Sequence, residues 1–205
     1  MSDGRDYSQN GEQAVILAAV ADIKQGRLLE IGAYDGLAFS NTLALIEQGW
    51  SGVLVEPGID AFKSLLSRHG SNAKLSLVQA VVGPHRDFVQ FWNSADALST
   101  TSQHNVNIWK DVAKFNAPYW VPQLSLQELL DKFKGAPFDV VSIDTEGTSA
   151  TLFHKFMQLC YPDYPKVIVV EHDKQQAACV SVVGARYEVA MENGENLVFV
   201  RRDKR

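Results

Sequence analysis

The chain has 205 residues, of which 46% are apolar and 21% are charged, and its formal net charge is −5. These values predict one globular domain over residues 1–205, and the negative charge disfavours binding to nucleic acid or to acidic membranes. Cys160 and Cys179 do not have the spacing of metal ligands. The first residues show no signal-peptide pattern, and no apolar run is long enough to span a bilayer. We therefore expect a cytoplasmic protein.

Strand patterns alternate with helical patterns along most of the chain. In the first half we predict a helix over 11–25, a strand over 27–32, a helix over 37–48, strands over 52–56, 74–82 and 87–92, and a helix over 59–68. In the second half we predict a helix over 108–114, strands over 120–124, 138–144 and 166–171, helices over 125–134, 148–159 and 173–183, and a hairpin of strands 187–191 and 196–200. The alternation predicts an α/β fold with a mostly parallel sheet of about seven strands and a C-terminal antiparallel hairpin.

A polar stretch at about 93–119 interrupts this alternation, and we interpret it as an insertion on the substrate side of the domain. Its hydroxyl, amide and aromatic side chains are Ser99, Thr100, Thr101, Asn105, Trp109, Tyr119 and Trp120. Such a mixture suits a polar acceptor of the sugar type. It is equally typical of a surface excursion held down by its aromatic residues.

A glycine-rich turn follows the first predicted strand, from Gly32 through Tyr34 to Gly36. In a dinucleotide fingerprint a second glycine lets the backbone approach a pyrophosphate, and here Tyr34 occupies its place, which disfavours NAD. Glu56 ends the second strand, 20 residues after Gly36, where a carboxylate can accept hydrogen bonds from both ribose hydroxyls. Together these features predict a nucleoside ligand without phosphates, although separately they fit a plain turn and a loop acid.

Polar side chains also end two later strands, with Asp144 and Glu146 after one, and Glu171 and His172 after the other. Such an acidic pocket can position an acceptor, take its proton or hold a divalent ion. We predict that Asp144, Glu171 and His172 hold Mg²⁺. In the alternative hypothesis no metal is bound and His172 acts as the base. Helix capping by Asp144 and a structural loop role for His172 are the competing interpretations.

Four motifs carry a resemblance to a known family: Ser8-Gln9-Asn10-Gly11-Glu12, Glu30-Ile31-Gly32-Ala33-Tyr34-Asp35-Gly36, Val55-Glu56-Pro57 and Ile143-Asp144-Thr145-Glu146-Gly147. The chain resembles class I S-adenosylmethionine methyltransferases and, among them, the FkbM-type family. The resemblance implies a Rossmann-like, doubly wound, mostly parallel seven-stranded sheet. It also implies that S-adenosylmethionine is the cofactor, and that the segment with Gln9 and Glu12 folds over it. One departure is Ser149, because the family usually has an acid there.

The combined prediction is an S-adenosylmethionine-dependent methyltransferase, with O-methylation of a small polar or sugar-like acceptor. The residues assigned to the cofactor are Gln9, Glu12, Glu30, Gly32, Tyr34, Gly36 and Glu56, and those assigned to catalysis are Asp144, Glu146 and His172. Two alternatives remain at this point: an oxidoreductase that uses NAD or a nucleotide sugar, and a non-catalytic nucleoside-binding module. The expected partner is a small-molecule acceptor, with no nucleic acid and no membrane, and the oligomeric state is left open between a monomer and a homodimer.

Overall fold

The computed structural model describes residues 5–94 and 98–202, so residues 95–97 of the predicted insertion lie outside the described part. The strands are β1 (Arg27–Ile31), β2 (Ser51–Val55), β3 (Leu75–Val78), β4 (Val81–Gly83), β5 (Asp87–Phe91), β6 (Tyr119–Ser125), β7 (Val140–Ile143), β8 (Val167–Glu171), β9 (Tyr187–Glu192) and β10 (Asn196–Arg201). The helices are α1 (Glu12–Ala19), α2 (Leu43–Glu47), α3 (Ile59–His69), α4 (Gln103–Trp109), α5 (Leu126–Lys132), α6 (Ser149–Leu159), α7 (Gln176–Val183) and a 3-10 helix, Gly184–Arg186.

The main sheet has seven strands in the order β3-β2-β1-β7-β8-β10-β9. Its first five strands pair in parallel, and β10 pairs antiparallel with both β8 and β9. The predicted α/β class, the mostly parallel seven-stranded sheet and the closing hairpin are therefore confirmed. Because the order reverses between β1 and β7, the carboxyl ends of these strands flank the crevice in which doubly wound sheets bind ligands.

Successive side chains of each strand point to opposite faces of the sheet. The apolar strands therefore present an apolar surface on both faces, and helices cover both. Leu29 of β1 packs into one core with Leu129 of α5 and Phe153 of α6. The neighbouring Leu28 packs into the other core with Ile16 of α1 and Leu65 of α3. None of the helices in the described part of the chain combines the length and the apolar composition needed to cross a membrane.

A second, three-stranded sheet in the order β4-β6-β5 lies beside the main one. The prediction of one strand over 74–82 is wrong, because the chain leaves the main sheet after Val78. From Val81 it pairs instead with β6, in parallel and in register with Gln123. An apolar run predicts strand structure, but it carries no information about a change of partner.

The predicted helix over 37–48 is also too long, since only α2 is helical there. The side chain of Asp35 accepts hydrogen bonds from the backbone N–H groups of Leu37 and Ala38, and Phe39 has a φ of 60°. Local side-chain bonds of this kind compete with the helical pattern. The turn after β1 thus extends further than its glycines indicate.

Capping hydrogen bonds mark the first residues of two helices, α5 and α4. The capping box of Ser125 and Glu128 is present at the start of α5, where the two residues exchange hydrogen bonds as the sequence motif indicates. The prediction over 108–114 is wrong, because α4 begins earlier, where Ser102 accepts a hydrogen bond from the backbone N–H of Asn105.

Candidate active site

A cavity of about 340 Å³ opens at the carboxyl ends of β1, β2, β7 and β8, within the size range of ordinary ligand pockets. Residues from the small sheet and from the insertion also line it, among them Val82, Phe91, Thr100 and Trp109. The charged side chains that line it are all carboxylates: Glu30, Glu56, Asp144, Glu146, Glu171 and Glu195. No lysine, arginine or histidine lines it in the described part of the chain.

The turn after β1 is shaped by Gly32, whose φ is 89°. A Cβ atom on Gly32 would lie 1.6 Å from the backbone oxygen of Asp144, so no other residue fits between the ends of β1 and β7. The N–H groups of Gly32 and Ala33 both bond to the carbonyl oxygen of Val55, which ties the turn to the end of β2. Tyr34, with a φ of 49°, lines the cavity.

Glu56 joins the first two strand ends. Its carboxylate accepts a hydrogen bond from the backbone N–H of Tyr34 at 2.9 Å and another from that of Gly58 at 2.7 Å. The side chain lines the cavity although only 6% of its surface is exposed. Burial raises its pKa to about 7, against the two backbone bonds, which lower it. Each oxygen keeps a second lone pair, so the predicted ribose contact is compatible with this geometry.

Glu30, in β1, is a buried residue that lines the cavity. Its carboxylate accepts a hydrogen bond from the Thr42 hydroxyl at 2.8 Å and a long one from Ser40 at 3.4 Å. Burial raises its pKa to about 7, because the hydroxyl bonds compensate for only part of the lost hydration. Glu30 is thus a buried acid that a cationic ligand would stabilise.

Gly36 does not line the cavity but supports the turn. Its φ is 72°, and its carbonyl oxygen lies 3.0 Å from Nε2 of His69, at the end of α3. Sequence reasoning missed His69. The two residues are 33 positions apart, and no local pattern connects them.

Three carboxyl groups meet beyond β7 and β8, and we call Asp144, Glu146 and Glu171 the acidic triad. Each offers an oxygen within 4.8 Å of the others, so the structure brings these predicted residues together. Burial comes first in raising the pKa of all three, and repulsion among neighbouring carboxylates adds to it. A hydrogen bond between Asp144 and Glu171 lowers the pKa of Asp144 and adds to the raised pKa of Glu171.

Ser149, the departure from the family pattern, contacts this triad. Its hydroxyl donates to Oε2 of Glu171 at 2.7 Å and accepts from the backbone N–H of Thr145 at 2.8 Å. An acid here would place another carboxylate against Glu171. Serine instead gives that carboxylate a donor, and it also fixes the loop after β7.

The insertion holds the same loop. The side chains of Thr100 and Asn105 both donate to the backbone oxygen of Glu146, at 3.0 and 2.8 Å. Glu146 has a φ of 51°, and a Cβ on Gly147 would lie 2.3 Å from Nδ2 of Asn105. Of the predicted insertion residues, Ser99, Thr100, Thr101 and Trp109 line the cavity, whereas Trp120 is 65% exposed and does not.

His172 lies outside the cavity lining, contrary to its predicted role as base or metal ligand. The residue is 2% exposed, Nε2 lies 3.2 Å from the backbone oxygen of Asn193, and Nδ1 accepts a hydrogen bond from the backbone N–H of Lys174. Both nitrogens are thus engaged with the backbone. The competing structural interpretation describes this residue better, and Glu146 takes its place beside Asp144 and Glu171.

The two N-terminal residues assigned to the cofactor, Gln9 and Glu12, lie in different environments. Gln9 lines the cavity, whereas Glu12 is fully buried beside it and does not. Glu12 accepts hydrogen bonds from Asn193 and Asn196 of the hairpin, both at 2.8 Å. It therefore fastens the N-terminal segment to the hairpin, and Gln9 alone of the two is placed to meet a ligand.

Comparison with known proteins identifies the family. The family model described as the methyltransferase FkbM domain matches residues 30–183, which is most of the chain. The chain belongs to the FkbM methyltransferase family. The resemblance carried by the four sequence motifs is thus confirmed, and the FkbM match leaves α1 and the C-terminal hairpin outside its limits. No curated protein sequence matches the chain significantly.

Solved structures share the fold of this FkbM domain at low identity. The SAH-bound methyltransferase PaMTH1 of Podospora anserina is 12% identical with a TM-score of 0.52, and the match covers 96% of this chain and 80% of that one. The C-terminal domain of precorrin-6Y C5,15-methyltransferase from Rhodobacter capsulatus is 15% identical with a TM-score of 0.50, over 98% and 92% of the two chains. The Escherichia coli protein yhhF is 13% identical with a TM-score of 0.53, over 98% and 90%.

Proposed function

We propose that this methyltransferase uses S-adenosylmethionine and methylates a hydroxyl oxygen of a small, uncharged polar acceptor such as a sugar. The observation that carries the donor assignment is the wholly acidic charged lining of the cavity. S-adenosylmethionine has a sulfonium and an ammonium group and no phosphate, so a negative pocket suits it. The SAH bound to PaMTH1, on the same fold, supports the same donor class.

The residues present fit this donor. Glu56 has free acceptor capacity for ribose hydroxyls at the end of β2, and Gly32 and Tyr34 of the turn after β1 line the same cavity. Glu30 and Gln9 also line the cavity. Among the described residues, a pyrophosphate would meet carboxylates and no basic side chain in the cavity, which disfavours the oxidoreductase alternative.

The acidic triad is placed to receive the acceptor proton. When bound, the donor supplies an activated methyl group on a sulfonium. An acceptor oxygen forms a bond to the methyl carbon, the carbon–sulfur bond breaks with its electrons on sulfur, and the acceptor proton passes to a carboxylate. Carboxylates whose pKa is raised by burial and mutual repulsion are stronger bases than exposed ones.

The magnesium prediction remains a prediction, with a revised ligand set of Asp144, Glu146 and Glu171. Three carboxylates suit Mg²⁺, which keeps several of its waters. An ion there would orient the acceptor hydroxyl, and the triad would hold the ion rather than protons. The cytoplasmic location and the small-molecule partner likewise stay predictions.

The test is to incubate the full chain with S-adenosylmethionine labelled on its methyl group and with small-molecule extracts of its host, and to identify labelled products by mass spectrometry. We expect a labelled methyl ether, and Glu146→Gln should lower its rate. The reaction is repeated after chelation, with and without added Mg²⁺. Loss of activity that Mg²⁺ restores would show that the triad holds a metal ion, and full activity without metal would show that its carboxylates accept the proton directly. Binding of the donor without any labelled product would instead support the non-catalytic module.

A further inference from the structure

Two segments outside the matched residues 30–183 reach the cavity. Gln9, before α1, and Glu195, in the turn between β9 and β10, both line it. The segments meet each other, since Nδ2 of Asn10 donates to Oε2 of Glu195 at 3.1 Å. The mouth of the cavity thus includes a carboxylate that the family domain itself does not supply.

A buried carboxylate holds these two segments together. Glu12 is fully buried and accepts hydrogen bonds from Nδ2 of Asn193, from Nδ2 of Asn196 and from the backbone N–H of Asn10. Burial raises the pKa of Glu12, but the backbone and asparagine bonds outweigh it and leave the pKa lowered. A charged acceptor with several donors is a strong and specific link.

The backbone of Glu195 is held as firmly as its side chain. Its N–H donates to Oδ1 of Asn193 at 3.0 Å, and its carbonyl oxygen accepts from the N–H of His172 at 2.8 Å. This explains the place of His172, which anchors the turn to the end of β8. Glu195 is therefore an exposed carboxylate on a rigid turn, and little reorganisation is needed when a ligand enters.

Glu195 acts at the acceptor end of the cavity, because β10 is the neighbour of β8 in the sheet. Its charge is close enough to Asp144 and Glu146 to contribute to the raised pKa of both. The negative charge that disfavours ionised carboxylates in the triad would attract a positive charge placed near them. In the proposed reaction, the group that carries this charge before transfer and loses it afterwards is the sulfur of the donor.

We propose that Glu195 is a specificity-determining residue that favours the positively charged methyl donor over its product, whose sulfur is uncharged. This inference rests on the proposed function. Donor and product share their adenosine, ammonium and carboxylate groups and differ by one methyl group and one charge. Glu195 therefore helps to exchange product for donor after each turnover, and its charge is the property that matters.

Isothermal titration calorimetry tests this on the full chain, with S-adenosylmethionine and S-adenosylhomocysteine as probes. The measured quantity is the ratio of their dissociation constants. Because one charge acts across a partly exposed site, we expect Glu195→Gln to shift this ratio towards the product by about threefold to tenfold. Glu195→Asp, which keeps the charge, should preserve most of the preference.

Glu192→Gln is the matched control, because Glu192 is an exposed acid of the same hairpin that does not line the cavity. It should leave the ratio unchanged. An equal loss of both affinities in Glu195→Gln, or no change in either, would overturn the proposal. If the unmodified chain binds neither probe, the proposed function itself fails, and that outcome is separate from an unchanged ratio.

Discussion

The two halves of the cavity support their carboxylates in different ways. In the half that we propose binds the donor, at β1 and β2 (the donor half), Glu56 is held by backbone N–H groups and Glu30 by hydroxyls. In the half that we propose binds the acceptor, at β7 and β8 (the acceptor half), three carboxyl groups lie against one another within 4.8 Å. The donor half is thus a preformed frame, whereas the acceptor half stores mutual repulsion that a proton, a cation or a ligand relieves.

The largest expected effect is that of Gly32→Ala, which disrupts the turn that shapes the donor half. Its Cβ would overlap the backbone oxygen of Asp144, and its positive φ is unfavourable for alanine. We expect a loss of about 4 kcal/mol or more in the free energy of unfolding, measured in denaturant. Gly194→Ala is the control, since a Cβ there meets nothing within 4 Å. Equal stabilities of the two variants would contradict this account of the turn.

Glu30→Gln tests the buried acid of the donor half through pH. The folded-state pKa of Glu30 is about 7, above its ordinary 4.5, so the native state loses stability as pH rises between these values. Glutamine keeps an acceptor for Thr42 and removes this effect. The variant should therefore gain about 3 kcal/mol relative to wild type between pH 4.5 and pH 8 in urea unfolding. Glu188→Gln, on the exposed surface of β9, serves as control, and a pH-independent difference for Glu30→Gln would refute the assignment.

Glu56→Ala tests the predicted ribose contact. The change removes the carboxylate that bonds to Tyr34 and Gly58 and that has capacity left for ribose hydroxyls. We expect S-adenosylhomocysteine to bind about 2 kcal/mol more weakly in calorimetry, the scale for losing a buried hydrogen-bond partner. The control Asp60→Ala alters a neighbouring exposed acid of α3 that does not line the cavity. Unchanged affinity in Glu56→Ala would show that the ribose lies elsewhere.

Asn105→Ala is the mildest change and addresses the acceptor half. It removes one of two donors to the backbone oxygen of Glu146 while Thr100 keeps the other. We expect a loss of about 1 kcal/mol in the free energy of unfolding, measured in urea. Asn107→Ala, on the same helix but without a bond to Glu146, should have a smaller effect. If the two variants behave alike, the insertion does not hold the loop after β7.

Sequence reasoning succeeded where the determinants are local. The Gly32 turn, the strand ends at Glu56 and Asp144, and the capping box at Ser125 all follow from short motifs. It also led to the family, because Glu-Pro and Asp-x-Glu-Gly are specific patterns. The main sheet and its hairpin could be predicted for the same reason.

It failed where the decisive contact is distant in sequence. His172 looked like a base at a strand end, but Nε2 of its ring lies 3.2 Å from the backbone oxygen of Asn193, 21 positions away, and only the folded hairpin shows this contact. Glu12 was assigned to the donor, and its partners lie more than 180 positions away. Glu195 was not considered, because an acid after Asn-Gly is an ordinary turn residue until the turn is placed beside β8.

A crystal structure of the chain with S-adenosylhomocysteine tests the central claim most directly. The account predicts the ribose hydroxyls within hydrogen-bond distance of Glu56, the sulfur directed towards the acidic triad, and the amino-acid end of the ligand between the Gly32 turn and Gln9. A nucleoside bound away from Glu56, or a sulfur directed away from the triad, would contradict it.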